Sequence, residues 1–224
     1  MDLPERLSDA LAADPVPQAA FRWNREAWAP VTEGVEGGSD LLDSLPDEVD
    51  RESTRDIVAR ELVVGHTLRA FLAVMVWGWG TTGNGPLRTR WVLTGVGRKD
   101  AFDHPVRSGI APRLTRAAEL VGERTPVEAC RYLLNEGALK HFKMSYLTKW
   151  LYFASARGGL DDPRVAPILD TRVADWFASE CGMTLDLNRT DTYARYLRTL
   201  TEWGGQTRTP AQVELAIFEL TRQN

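Results

Sequence analysis

Two side chains in residues 145–176 are the best suited in this sequence to do chemistry. Lys149 lies in Ser145-Tyr-Leu-Thr-Lys-Trp-Leu-Tyr-Phe-Ala154, and Asp170 lies in Pro167-Ile-Leu-Asp-Thr-Arg-Val-Ala-Asp-Trp176. Lysine is rarely buried without a partner, and a desolvated amine that sheds its proton becomes a nucleophile. Leu147, Trp150, Leu151 and Phe153 surround Lys149 on every face of the apolar helix predicted here, with the lysine at its head. The simpler alternative is a lysine whose ammonium snorkels to solvent at the helix start. Asp170 also has two readings: a carboxylate that steadies positive charge and relays protons, or an N-cap ahead of Thr171-Arg-Val-Ala174. Both can hold at once, because a cap fixes the carboxylate where it is needed.

The elements that must position this pair are overwhelmingly helical, so the chain is expected to be all-α, with no repeat and no low-complexity tract. A short first helix ends between Asp9 and Asp14, before Pro15 and Pro17, and Phe21–Trp28 is an aromatic segment with no assignable period. Residues 31–50, rich in Gly, Asp, Ser and Pro, read as a loop. From Arg51 a helical period runs through Ile57, Val58, Leu62, Val63, Leu68, Phe71, Leu72 and Met75, with a break at Gly65. Gly78–Pro86 reads as a loop, and Leu87–Gly95 and Ala111–Gly122 as helices. Thr125-Pro-Val-Glu128 is a capping box with Pro at N1, opening a helix to about Glu136, and Thr209-Pro210 opens the last helix in the same way.

The 224 residues suit one domain, or two small lobes sharing a cleft. No apolar run approaches the roughly 20 residues of a membrane span, and the start, Met-Asp-Leu-Pro-Glu-Arg, lacks a basic stretch followed by an apolar one, so a soluble cytoplasmic protein is expected. Cys130 and Cys181 are too few for a disulfide framework or an iron–sulfur cluster. His66, His104 and His141 have no metal-ligand spacing, and no metal is expected.

The net charge of −4 is unevenly spread. Residues 1–65 hold 6 Lys/Arg against 15 Asp/Glu, residues 66–157 hold 14 against 6, and residues 158–224 hold 7 against 10. A local basic face suffices to bind phosphates, because screening confines the field to about 10 Å. The same arginines (107, 113, 116, 124 and 131) also fit the solvated faces of two amphipathic helices. The glycine-rich segment 78–86 lacks Gly-Lys-Ser/Thr and follows no strand, which excludes a Walker loop.

Three blocks carry a resemblance: Thr148-Lys149 with Leu169-Asp170; Glu214-Leu-Ala-Ile-Phe218 near the C-terminus; and Trp77-Gly-Trp-Gly-Thr-Thr-Gly-Asn84-Gly-Pro-Leu-Arg-Thr-Arg90. In their order along the chain they resemble the helix-hairpin-helix (HhH-GPD) DNA glycosylases, and within them the 8-oxoguanine DNA glycosylase/lyases of the small prokaryotic type that lacks the N-terminal β-domain. Two departures stand out. The hairpin segment Leu139-Lys-His-Phe-Lys-Met-Ser-Tyr-Leu147 is not glycine-rich, and Glu214 stands where 8-oxoguanine enzymes have glutamine.

The resemblance implies two helical lobes around a DNA-binding cleft, residues 51–224 as the glycosylase domain, and residues 1–50 as a partly loop N-terminal extension. It implies that Lys149 forms a Schiff base, Asp170 assists it, and Glu214, Phe218 and Phe153 hold the extruded base. Thr81, Thr82, Asn84, Arg88 and Arg90 on the probing turn, His141, Lys143 and Ser145 at the hairpin, and Arg172 are implied to touch DNA. The partner is double-stranded DNA with a damaged or modified base, bound by a monomer associated with the nucleoid. No cofactor is implied beyond a monovalent cation at the hairpin. Two alternatives stay open: a glycosylase for another modified base, such as a modified cytosine in foreign DNA, and a non-catalytic hairpin DNA-binding module.

Overall fold

A computed structural model describes residues 2–13 and 17–222. Among these residues the α-helices are α1 (Glu5–Ala12), α2 (Arg25–Trp28), α3 (Gly38–Ser44), α4 (Arg51–Val63), α5 (Thr67–Trp79), α6 (Gly85–Thr94), α7 (Ile110–Glu123), α8 (Pro126–Leu134), α9 (Met144–Ser155), α10 (Thr171–Cys181), α11 (Thr190–Gly204) and α12 (Pro210–Leu220). One antiparallel pair of two-residue strands, β1 (Phe21–Arg22) and β2 (Glu48–Val49), sets Phe21 opposite Val49. The fold is all-α, and no described helix is long and apolar enough to cross a membrane.

Side-chain caps fix several helix starts. Asp50 and Ser53 form a reciprocal capping box at α4, Thr209 and Gln212 form another at α12, and the Thr125 hydroxyl accepts the Glu128 N–H at α8. Each such cap is worth about 0.5–2 kcal/mol. Gly65 adopts φ +81°, a left-handed turn that separates α4 from α5 at the expected break. The first helix ends at Ala12, and its expected limit near Asp14 lies outside the described residues.

Two expectations need correction. Residues 31–50 are not simply a loop: they hold α3, whose Leu41 and Leu42 are buried and override the turn-forming composition. Lys149 is not at a helix head but in the middle of α9, which begins at Met144.

The core is organised around α5 and α9. Every residue from Ala70 to Trp77 is buried, so α5 has no solvated face along that stretch. Phe71 meets Trp150 and Phe142 edge-on at 6.2 and 5.6 Å, and Trp77 meets Phe153 at 5.0 Å. α4 packs on both central helices, α7 and α8 pack on α9, α11 joins α8 to α12, and α1 lies against α12. Leu7, Trp28, Val31, Leu41 and Val49 belong to the same core, so the N-terminal residues are integral to it.

Candidate active site

The segment between α9 and α10 holds the site together. Val165 to Leu169 is a buried run of backbone whose carbonyls need partners. Tyr193 and Tyr196 of α11 supply them, donating to the carbonyls of Pro167 (2.9 Å) and Ile168 (2.8 Å). Buried Thr148 ties the segment to α9: its Oγ1 accepts the Leu169 N–H at 3.1 Å and donates to the Met144 carbonyl at 2.8 Å. The residues that follow these two anchors are Lys149 and Asp170. Fixing Thr148 against Leu169 therefore fixes the Lys149 and Asp170 side chains against each other.

Lys149 Nζ lies 2.8 Å from Asp170 Oδ2, and the two side chains are 9% and 16% exposed. The other carboxylate oxygen, Oδ1, accepts the Val173 N–H at 3.2 Å and caps α10. The cap reading of Asp170 is met by Oδ1, which leaves Oδ2 to pair with Lys149. Burial works to raise the Asp170 carboxyl, but the Lys149 ammonium, its hydrogen bond and the Val173 N–H outweigh it and hold the group below the ordinary aspartate range. Gly78 of α5 faces this pair; a Cβ there would come within 3.2 Å of Lys149 Cδ.

The pair opens into a cavity of about 570 Å³, within the range of ligand pockets, roughly 300–1,000 Å³. Phe218, Arg172, Ser145, Thr81 and Thr82 also line it, so seven of the expected site residues share one cavity. Arg88, Asn84, His141 and Lys143 lie outside it. Arg88 stacks on Trp91 at 4.1 Å, and Trp91 meets His141 at 5.5 Å. His141 takes a left-handed φ of +68°, and burial, reinforced by Lys140, Arg88 and Lys143, lowers its pKa, which favours the neutral ring.

Three expected side chains sit elsewhere. Glu214 is fully buried and receives both Arg51 nitrogens, at 2.7 and 2.8 Å, so its carboxylate is committed to an ion pair and does not face the cavity. Phe153 is fully buried against Trp77. Arg90 is buried and holds the carbonyls of Glu33, Ala101 and His104, a structural clamp that leaves nothing for phosphate.

Other wall residues were not expected. Gln18 accepts the Trp77 indole N–H at 3.0 Å and brings the N-terminal segment to the cavity. Tyr146, one turn before Lys149, stacks on Trp79 with centroids 4.4 Å apart, and both line the cavity. Arg51 was missed because its partner is 163 positions away; only its place behind the Asp50 cap is visible locally.

No curated protein and no solved structure matches this chain. A family model described as "Putative 8-oxoguanine DNA glycosylase OGG-like protein" matches residues 14–218, which span Lys149, Asp170 and Phe218. With a lysine–aspartate pair at the wall of an aromatic cavity, and with that match over most of its length, the chain belongs to the OGG-like DNA glycosylase family.

Proposed function

We propose that this glycosylase is bifunctional, excising an 8-oxoguanine-like base from double-stranded DNA and cleaving the resulting abasic site through Lys149. The observation that carries the reading is the 2.8 Å Lys149–Asp170 pair at the wall of a cavity large enough for a base. A base inside a duplex is out of reach, so the nucleotide must be extruded, at a cost of a few kcal/mol that filling the gap partly offsets. We assign the gap-filling role to the Gly80–Asn84 turn, whose Thr81 and Thr82 line the cavity. We assign the helix-hairpin-helix role to Leu139–Leu147, in which Lys143 is exposed and would meet phosphate.

Lys149 must lose a proton before it can attack. The departing base anion is the stronger acceptor, and Asp170, held ionised, stays to stabilise positive charge on the sugar. The glycosidic C1′–N bond breaks with its electron pair going to the base, which takes the proton from Lys149; the freed Nζ lone pair then bonds to the electron-poor C1′. Loss of a second Nζ proton and opening of the sugar at O4′, which is protonated, leave a Schiff base. Removal of a C2′ proton then expels the 3′ phosphate.

Glu214 was expected to hold the extruded base, and its burial against Arg51 withdraws it from that role. A second reading, excision of another modified base by the same pair, follows from this observation. Single-turnover assays on duplexes that each carry one modified base decide between them: release of 8-oxoguanine supports the first, and release of a modified cytosine alone supports the second. Release from none of the duplexes contradicts both.

A further inference from the structure

Tyr146 is a phenol in the cavity wall. It lies half-buried on α9, three residues before Lys149, and its hydroxyl has no hydrogen-bond partner among the described residues. Phenol hydroxyls normally find one when buried. Trp79 covers one face of the ring at 4.4 Å and an interplanar angle of 22°, while Lys149 Nζ sits 5.1 Å from its centroid. Phe218, the stacking side chain expected from the sequence, already has the Arg51 and Arg172 guanidiniums at 4.8 and 5.4 Å from its centroid. Gly78 packs beside the ring and Lys149 without adding a side chain: a Cβ there would touch Tyr146 Cδ1 at 3.6 Å and crowd Lys149 Cδ at 3.2 Å.

We propose that Tyr146, held by Trp79, is a specificity-determining platform on which the extruded base lies beside Lys149. This rests on the glycosylase/lyase reading above. A planar base gains stacking on a ring that is already fixed, so little ordering is needed when it arrives. The platform acts on the base and not on the sugar. Removing it must therefore hurt base excision more than cleavage of a site that has no base.

The test compares single-turnover excision of 8-oxoguanine opposite cytosine with β-elimination at a preformed abasic site in the same duplex. Tyr146→Leu, which keeps apolar volume but removes the π-face, is expected to lose roughly ten- to hundredfold in excision, and at least about tenfold more than in abasic-site cleavage. Tyr146→Phe keeps the face and is expected to stay within about threefold of the parent in excision. If Tyr146→Leu fails to fold, Trp79→Leu must show the same split. Equal losses in the two assays, or a Tyr146→Phe enzyme as poor as Tyr146→Leu, overturn the platform while leaving the lyase standing. A parent enzyme that cleaves no abasic site overturns the lyase reading and the platform with it.

Discussion

Two buried ion pairs lie close together in this molecule. Arg51–Glu214 is bidentate at 2.7 and 2.8 Å, with side chains 8% and 0% exposed, and its guanidinium lies 4.8–5.5 Å from the rings of Trp77, Tyr152 and Phe218. Lys149–Asp170 is a single 2.8 Å contact that opens on the cavity. Both are lysine- or arginine-to-carboxylate pairs at similar distance, so charge alone does not separate them. Access does. A guanidinium stays protonated and both carboxylate oxygens of Glu214 are occupied, whereas a lysine amine can become a nucleophile and its cavity admits a ligand. Burial pushes the Glu214 carboxyl up, and the Arg51 charge pulls it back; no comparable seal covers Asp170.

The contrast is sharpest at Lys149. Lys149→Gln is expected to reduce base release to background while DNA affinity stays within about tenfold, because phosphate contacts dominate binding. Binding by electrophoretic mobility shift and excision under single turnover check this together. Substantial excision by Lys149→Gln would move the chemistry to another group.

Asp170→Asn keeps the cap and removes the charge. Excision is expected to fall about a hundredfold or more, and the melting temperature should drop as well, because the buried ammonium loses its counter-charge, at about 1–3 kcal/mol. The pH dependence has a defined sign. The folded-state pKa of Asp170 is lowered from 3.8, so its stabilisation is present above that pH and is lost as pH falls through the lowered value. The difference in stability between parent and Asp170→Asn should therefore shrink in thermal melts below about pH 4.

Arg51→Met tests the sealed pair. Leaving Glu214 buried and alone should cost about 3–5 kcal/mol, and Arg51→Met with Glu214→Leu should recover most of it, since replacing both partners by apolar groups is often neutral. Urea titrations of the parent and the two variants measure this. A single variant as stable as the double would mean that Glu214 finds water or a proton at no cost, and that the pair is not sealed.

Thr148→Val is the smallest change. It keeps the shape and breaks the link between α9 and the Leu169 backbone, costing about 1–3 kcal/mol for the unsatisfied groups. A several-fold loss of excision should accompany it, because the link also sets Lys149 against Asp170. Loss of stability without loss of rate would show that the pair is positioned by other contacts.

Much of the reactive pair was legible in the sequence because its signals are local. An apolar frame around Lys149 and a cap signature at Asp170-Thr171 survive in any single window of the chain, as do the Thr125 and Thr209 caps. Glu214 was misread because its surroundings on α12 look like any helix; only Arg51, 163 positions away, explains its burial. Arg90 was misread for the same reason: its three carbonyl partners lie in segments without pattern. α3 was missed because tertiary burial of Leu41 and Leu42, and not propensity, makes that helix. The Trp79–Tyr146 wall joins two helices that no spacing rule connects.

The central claim, that Lys149 is the amine that forms the Schiff base, has one direct measurement. The chain has four lysines, Lys99, Lys140, Lys143 and Lys149, and two of the others lie only a few residues from the cavity wall. Borohydride reduction during turnover on a duplex that carries the modified base, followed by proteolysis and mass spectrometry, locates the trapped sugar. The account predicts the adduct on Lys149 and on no other residue. An adduct on Lys140, Lys143 or the N-terminal amine, or base release with no trapped species, contradicts it.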